Sequence, residues 1–283
     1  MKNNSLITTP RTALVALTLA LAACAATPQG DGQSVSIAGF GPGFAAGYLA
    51  EDAIPNSLLQ VPPPPAAGSA ALALDHDIAQ RSFALRDTPR WTLAISDADA
   101  TFPNGANIFS CALGIAVSQA ETPRLYKLLQ RTLTDLGRSP HAAKVHYHRT
   151  RPFVENGQPM CTPDERKKLA NDGSYPSGHN AIGWGWALLL AAISPAQTDA
   201  LLVRGRNYGE SRNVCNVHWH SDVMQGRLVG AGMVARLHAD PAFRADLLAA
   251  RADLEAARAR GSKPTRDCLA EAAALAIQPS LAQ

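Results

Sequence analysis

Twelve positions, "SRNVCNVHWHSD" (residues 211–222), hold Ser211, Arg212, Cys215, His218, His220 and Asp222. A hydrogen-bonded loop, a zinc site or half of a reaction centre could use such a set. The guanidinium of Arg212 offers a planar fork of donors that matches two oxygens of a phosphoryl group. His218 and Asp222 stand four positions apart, so a helix extending back through residue 218 would put them on one face. The carboxylate would then accept the Nδ1–H of the imidazole and leave Nε2 free as a nucleophile. Zinc fits less well. The pairs His146/His148 and His218/His220 are each two positions apart, which sends side chains to opposite sides of a helix. No carboxylate cluster completes a metal shell either.

Two other stretches supply a matching half. "KVHYHRTRPF" (144–153) brings Lys144, Arg149 and Arg151 together ahead of Pro152. "GSYPSGHNAIGWGW" (173–186) turns at Gly173 and Pro176, then runs through Ser177, Gly178 and His179 into an apolar segment. A helix starting there would present unpaired N–H groups and its positive dipole end, with Gly178 leaving room for an oxyanion. Lys144, Arg151 and Arg212 would neutralise a phosphoryl group, His218 would attack it, and His179 would protonate the leaving alcohol. Such a set needs no metal or cofactor, because cations and backbone donors supply the charge stabilisation.

Helices must position these groups. In "TPRLYKLLQRTLTDLG" (122–137), Thr122 reads as an N-cap, Pro123 as the first helical residue and Gly137 as the stop. Leu125, Leu128, Leu129, Leu133 and Leu136 make its apolar face. "GWGWALLLAAI" (183–193) is apolar all round and predicts a buried helix, with Trp184 and Trp186 as packing residues. Residues 222–239 predict another, in which Gly226, Gly230 and Gly232 leave a thin side for a close neighbour. Residues 241–260 predict a charged amphipathic helix on the outside. "VPPPPAAGSAA" (61–71) is stiff and extended, suited to lying across a surface. No alternating pattern of useful length points to a sheet, so the fold class is all-α.

The three segments together form a recognisable signature. Lys144, six residues, then Arg151-Pro152; Pro176-Ser177-Gly178-His179; and Ser211-Arg212, five residues, His218, three residues, Asp222: this pattern resembles the type 2 phosphatidic acid phosphatase (PAP2) superfamily, which includes the vanadium haloperoxidases. "PPPPAAGSAA", "RPF", "GSYPSGH", "GWGWAL" and "GESRNVCNVHWHSDV" more closely resemble the bacterial class A non-specific acid phosphatases. The resemblance spans roughly residues 48–258. It implies a compact helical bundle of the PAP2 and vanadium chloroperoxidase type. It also implies metal-independent hydrolysis of phosphomonoesters, with some members transferring phosphate to alcohols. In that scheme His218 carries a covalent phosphoryl group, Asp222 orients it, and His179 serves as acid and then base. Lys144, Arg151, Ser177, Gly178 and Arg212 would bind the phosphoryl oxygens. The resemblance further implies small phosphate esters as partners and a homodimer or larger homo-oligomer. His220 and Asn180 depart from the residues commonest in close relatives, where glutamine and threonine or serine are expected. Alternatives on the same site are a vanadate-dependent haloperoxidase and a diphosphate- or nucleotide-specific phosphohydrolase. A non-catalytic exported lipoprotein that binds phosphate or a partner is a third class, disfavoured because binding alone needs neither a steered nucleophile nor an acid.

The remaining sequence frames this domain. Residues 1–24 combine a basic start (Lys2, Arg11) with the apolar run "TALVALTLALAAC", too short to span a bilayer permanently, and read as an export signal. Its ending "LAAC" resembles a lipobox that would make Cys24 a lipidated N-terminus; ordinary cleavage among the small residues is the alternative. The expected location is the periplasm, with a lipid anchor in the outer membrane if Cys24 is acylated. Residues 25–47 read as a tether, 48–260 as the phosphatase-like domain and 261–283 as a C-terminal extension. Of the formal charge of +3, Lys2 and Arg11 belong to the leader, leaving +1 and no nucleic-acid-binding surface. Cys111, Cys161, Cys215 and Cys268 are four cysteines in an exported chain, predicting two disulfides with three possible pairings.

Overall fold

The computed structural model describes residue 1, residues 34–37 and residues 41–277. Apart from Met1, the expected export signal and Cys24 lie outside the described residues. Among them the helices of seven residues or more are α1 Ala70–Ser82, α2 Pro89–Ala98, α3 Pro123–Arg138, α4 His141–Tyr147, α5 Gly178–Ile193, α6 Thr198–Val214, α7 His220–Leu237, α8 Pro241–Ala259 and α9 Cys268–Ala276. A hairpin of β1 Ser34–Ile37 and β2 Gly41–Ala45 is antiparallel. The fold is all-α apart from that hairpin.

α5 occupies the centre, as its lack of a polar face requires. It packs on α6, α7 and α3, burying Ile182, Trp186, Leu189 and Leu190. Trp186 also donates its indole N–H to Thr132 Oγ1 at 3.1 Å, so the buried ring leaves no polar orphan. The closest approach runs along α7. A Cβ on Gly230 would sit 2.6 Å from the Ala181 carbonyl oxygen, and one on Gly226 2.5 Å from that of Ser177. The two glycines let α7 lie against the start of α5, where the candidate anion seat is. Gly232 faces Gln60 instead. The five expected leucines of α3 are all buried, and α8 covers α3 with Phe243, Leu247, Ala250 and Leu254.

Thr122 and Pro123 take the expected N-cap and first positions of α3, although the Thr122 side chain bonds backward instead: its Oγ1 accepts from Ser118 N and donates to Ser118 O. Three other expectations are corrected. Gly137 is not a stop, because α3 continues through Arg138. Gly137 is buried against Ile37, whose Cγ2 would be 3.1 Å from an added Cβ, so the glycine serves packing. The described part of the expected tether packs on α3: Thr134 Oγ1 donates to Ala45 O at 2.6 Å, and Arg131 donates to Ala46 O at 3.3 Å and Gly47 O at 3.0 Å. The C-terminal extension is also integral to the domain. α9 packs on α2, and its Glu271 approaches Arg204 at 3.5 Å. The disulfides join Cys111 to Cys268 and Cys161 to Cys215.

Candidate active site

His218 is set by the turn between α6 and α7. α6 ends at Val214, and Asn216 takes a left-handed φ of 57°, which asparagine tolerates. The amides of Val217 and His218 both return to the Arg212 carbonyl, at 3.2 and 3.3 Å. α7 begins only at His220, so the expected helical face shared by His218 and Asp222 is not formed. Asp222 instead occupies the third position of α7 and accepts from the Trp219 amide at 2.8 Å. The same oxygen, Oδ2, lies 3.3 Å from His218 Nδ1. The contact expected from a helix is thus made by a capping turn.

The other ring nitrogen fixes the tautomer. Arg151 Nη1 lies 3.1 Å from His218 Nε2, and a guanidinium can only donate. Nε2 therefore holds a lone pair, and Nδ1 carries the proton directed at Asp222. Burial, reinforced by Arg151, Lys144 and Arg212, holds the His218 pKa well below the ordinary imidazole range. The ring is 3% exposed and neutral.

Arg151 precedes Pro152 and takes the extended conformation that proline imposes on its predecessor (φ −77°, ψ 151°). Its guanidinium is held by the carbonyls of Leu169, Asp172 and Val217 and by Asp172 Oδ2 at 2.8 Å. Lys144, on α4, reaches the same carboxylate oxygen at 3.3 Å and donates to Gly173 O. Burial lowers its pKa to about 8, with Arg151 adding to the effect and Asp172 opposing it. Asp172 thus sits between two of the expected phosphate ligands.

Arg212 is the third cation and differs from the others. It is 1% exposed, and its Nε and Nη1 have no hydrogen-bond partner. Burial lowers its pKa to about 10, which leaves it charged at neutral pH. Buried donors without acceptors carry a desolvation penalty of about 1–3 kcal/mol each, more when charged, so such a group needs an external anion or water. Arg212 and His179 line one cavity of about 280 Å³, together with Ile95, Thr101, Glu165 and Leu169.

His179 is the second residue of α5. Its Nε2 lies 2.9 Å from the Ala98 carbonyl and therefore carries the proton. Burial and Arg212 push its pKa well down. Ser177 is the N-cap: its Oγ accepts from Asn180 N at 3.4 Å and Asn180 Nδ2 at 3.1 Å. Its own amide is taken by Asp222 O at 3.0 Å, so the cap of α5 is bonded to α7. Gly178 opens the helix.

Some residues emerge only in three dimensions. Arg149 Nη1 donates to Asp222 Oδ1 at 2.7 Å, and Asp172 bridges Lys144 to Arg151. Arg149 was visible as a basic residue beside Arg151, but linear spacing does not reveal which carboxylate it faces. His146 packs edge-on to Tyr147, and neither His146, His148 nor His220 lines the cavity. Asn180 lies between Ser177 and Gly209 rather than on the cavity wall.

With this arrangement in view, sequence comparison gives the family. The PAP2 superfamily model matches residues 127–245, which contain every signature position. The chain is 41% identical over 213 residues to an acid phosphatase of Zymomonas mobilis, covering 74% of this chain and 79% of that protein. It is 40% identical to the non-specific acid phosphatase of Providencia stuartii, covering 72% and 83%. To that of Salmonella typhimurium it is also 40% identical, covering 70% and 80%. The chain belongs to the class A non-specific acid phosphatases. In this family member the signature residues come from α4, the 151 turn, the start of α5 and the α6–α7 corner. The Cys161–Cys215 disulfide ties the segment bearing Thr162, Glu165 and Leu169 to that corner.

Proposed function

We propose that the protein hydrolyses phosphomonoesters through a phosphohistidine at His218, without a metal ion. The observation that carries this reading is the pairing at His218: a neutral buried imidazole, its Nε2 lone pair among cations and its Nδ1–H toward Asp222. The phosphoryl oxygens would take the free donors of Arg212, with Lys144, Arg151 and the first amides of α5 around them. Nε2 attacks phosphorus, the ester P–O bond breaks, and the leaving oxygen receives a proton from His179 in its imidazolium form. Burial and Arg212 otherwise keep that ring neutral; the bound phosphoryl dianion stabilises the second proton by offsetting the charge of Arg212. Asp222 offsets the positive charge on the phosphorylated ring. Water then gives a proton to His179 while its oxygen takes phosphorus from Nε2, which regains its lone pair. An alcohol in place of water would yield a new ester, hence transfer.

The test is turnover of aryl and alkyl phosphates at pH 5–7 with EDTA present. Activity should persist, and vanadate should inhibit as an anion of the same shape. Loss with chelator and return with zinc would overturn the metal-free mechanism. Peroxide-driven halide oxidation with vanadate and no phosphate release would identify a haloperoxidase instead. His179→Ala should slow alkyl phosphates at least ~100-fold while slowing nitrophenyl phosphate far less, because only poor leaving groups need the proton. Equal slowing of both would remove His179 from the acid role.

We further propose export to the periplasm, with Cys24 acylated as an outer-membrane anchor and the domain associating as a homo-oligomer. The basic, apolar leader ending in "LAAC" supports the first part. Wild-type protein should partition with membranes and Cys24→Ala should be soluble in the periplasmic fraction. Identical soluble partitioning of both would remove the anchor.

A further inference from the structure

The phosphohistidine reading assigns Asp222 the task of holding His218, but leaves open what holds Asp222. Its two oxygens have separate partners. Oδ2 faces His218 Nδ1 and the Trp219 amide, whereas Oδ1 accepts from Arg149 Nη1 at 2.7 Å. Arg149 is itself fixed on two further sides. Nη2 donates to Asp75 Oδ2 at 2.8 Å, and Nη1 also lies 2.7 Å from Ser221 Oγ. Asp75, on α1, is 1% exposed and accepts from the Ser221 amide at 2.7 Å and the Ser221 hydroxyl at 2.6 Å. The guanidinium lies 5.4 Å from the centre of the Trp219 ring, the N-cap residue of α7. A carboxylate from α1 therefore pins an arginine from the 148–151 turn, which pins the aspartate that faces the nucleophile.

We infer that Arg149, buttressed by Asp75, is a positioning residue for catalysis: it holds the Asp222 carboxylate by Oδ1 so that Oδ2 stays turned toward His218 Nδ1. This rests on the phosphohistidine reading and concerns a residue outside the three-part signature. Arg149 directs Nη1 at Asp222 and Ser221 and Nη2 at Asp75, so both terminal nitrogens are engaged with protein groups on the far side of Asp222 from His218 Nδ1. Without it, Asp222 keeps the Trp219 amide on Oδ2 but loses a charge-assisted partner on Oδ1 in a site with no water access. Burial alone drives that carboxyl toward its protonated form, and Arg149 is the largest opposing influence. Arg151 would still set the His218 tautomer at Nε2, but the ring would lose the anchored negative charge at Nδ1 that steadies it and offsets the positive charge formed on attack.

A double-mutant cycle tests this, comparing Arg149→Ala, Asp222→Asn and the double variant by kcat, KM and vanadate inhibition. Arg149→Ala should lower kcat about 10–100-fold, as loss of an orienting partner does elsewhere, while vanadate affinity changes less than about threefold. In the Asp222→Asn background, the same substitution should have almost no further effect on kcat. Arg149→Lys keeps the charge but cannot bridge two carboxylates, and Asp75→Asn removes the buttress alone; both should give smaller losses in kcat at unchanged KM. If Arg149→Ala fails to fold, these two milder variants carry the same cycle. A multiplicative loss in the double variant, or a parallel loss of kcat and vanadate affinity, would overturn the inference. Full activity of Asp222→Asn alone would instead overturn the phosphohistidine assignment on which it rests.

Discussion

The buried imidazole and lysine set opposite limits on the working pH. His218 must be neutral to attack, and its pKa is pushed well below the usual 6.5 by burial and by three cations. It therefore stays unprotonated through the mildly acidic range, and the acid limb of kcat/KM should lie below pH 6.5. Lys144 must be charged to attract phosphate, and its pKa is lowered to about 8. Raising pH through 8 discharges it, so inhibition by inorganic phosphate should weaken there. Lys144→Arg should abolish that weakening, since a guanidinium does not titrate in the range. Inhibition constants measured from pH 5 to 9 for both proteins decide the matter, and a flat wild-type profile would contradict it. At this scale the sequence was informative about residues whose spacing is itself the signal: Lys144, Arg151, His179, Arg212, His218 and Asp222. It showed Arg149 only as one more basic residue and did not single out Asp172 or Asp75, because the roles of all three arise from contacts 21 to 146 residues apart along the chain.

At the scale of elements, periodicity located four of the nine longer helices among the described residues, α3, α5, α7 and α8, and left α1, α2, α4, α6 and α9 unread. The leucine face of α3 and the apolar run of α5 report burial, which dominates the energetics and leaves a clear trace. Gly137 illustrates a misjudged end. A glycine near the end of a helical pattern reads as a stop, yet here it makes room for Ile37, a residue 100 positions earlier that no local pattern could connect to it. The hairpin was illegible for a related reason: its strands are only four and five residues long, so the alternation of "SVSI" is too brief to register and "GPGFA" has none. Gly226 and Gly230 were legible as a thin face, and the structure gives that face its neighbour. Gly230→Val should be destabilising by about 1–3 kcal/mol or more, because the obstructing atoms belong to the Ala181 backbone and cannot rotate away. Denaturant unfolding measures this directly. A change under about 0.5 kcal/mol would mean the helices separate more easily than their contact implies.

For the whole molecule, the two disulfides have a topological result. The Cys161–Cys215 loop lies wholly inside the Cys111–Cys268 loop, and every signature residue from Lys144 to Asp222 falls within the outer ring. A cut by a protease anywhere from residue 112 to 267 consequently opens a ring without separating its pieces. Nicked chains should migrate as one species without reductant and fall into fragments with it, which gel electrophoresis after limited proteolysis would record. Release of fragments before reduction would refute this linkage. A severed copy would keep its halves tethered, and scission need not mean the end of its working life.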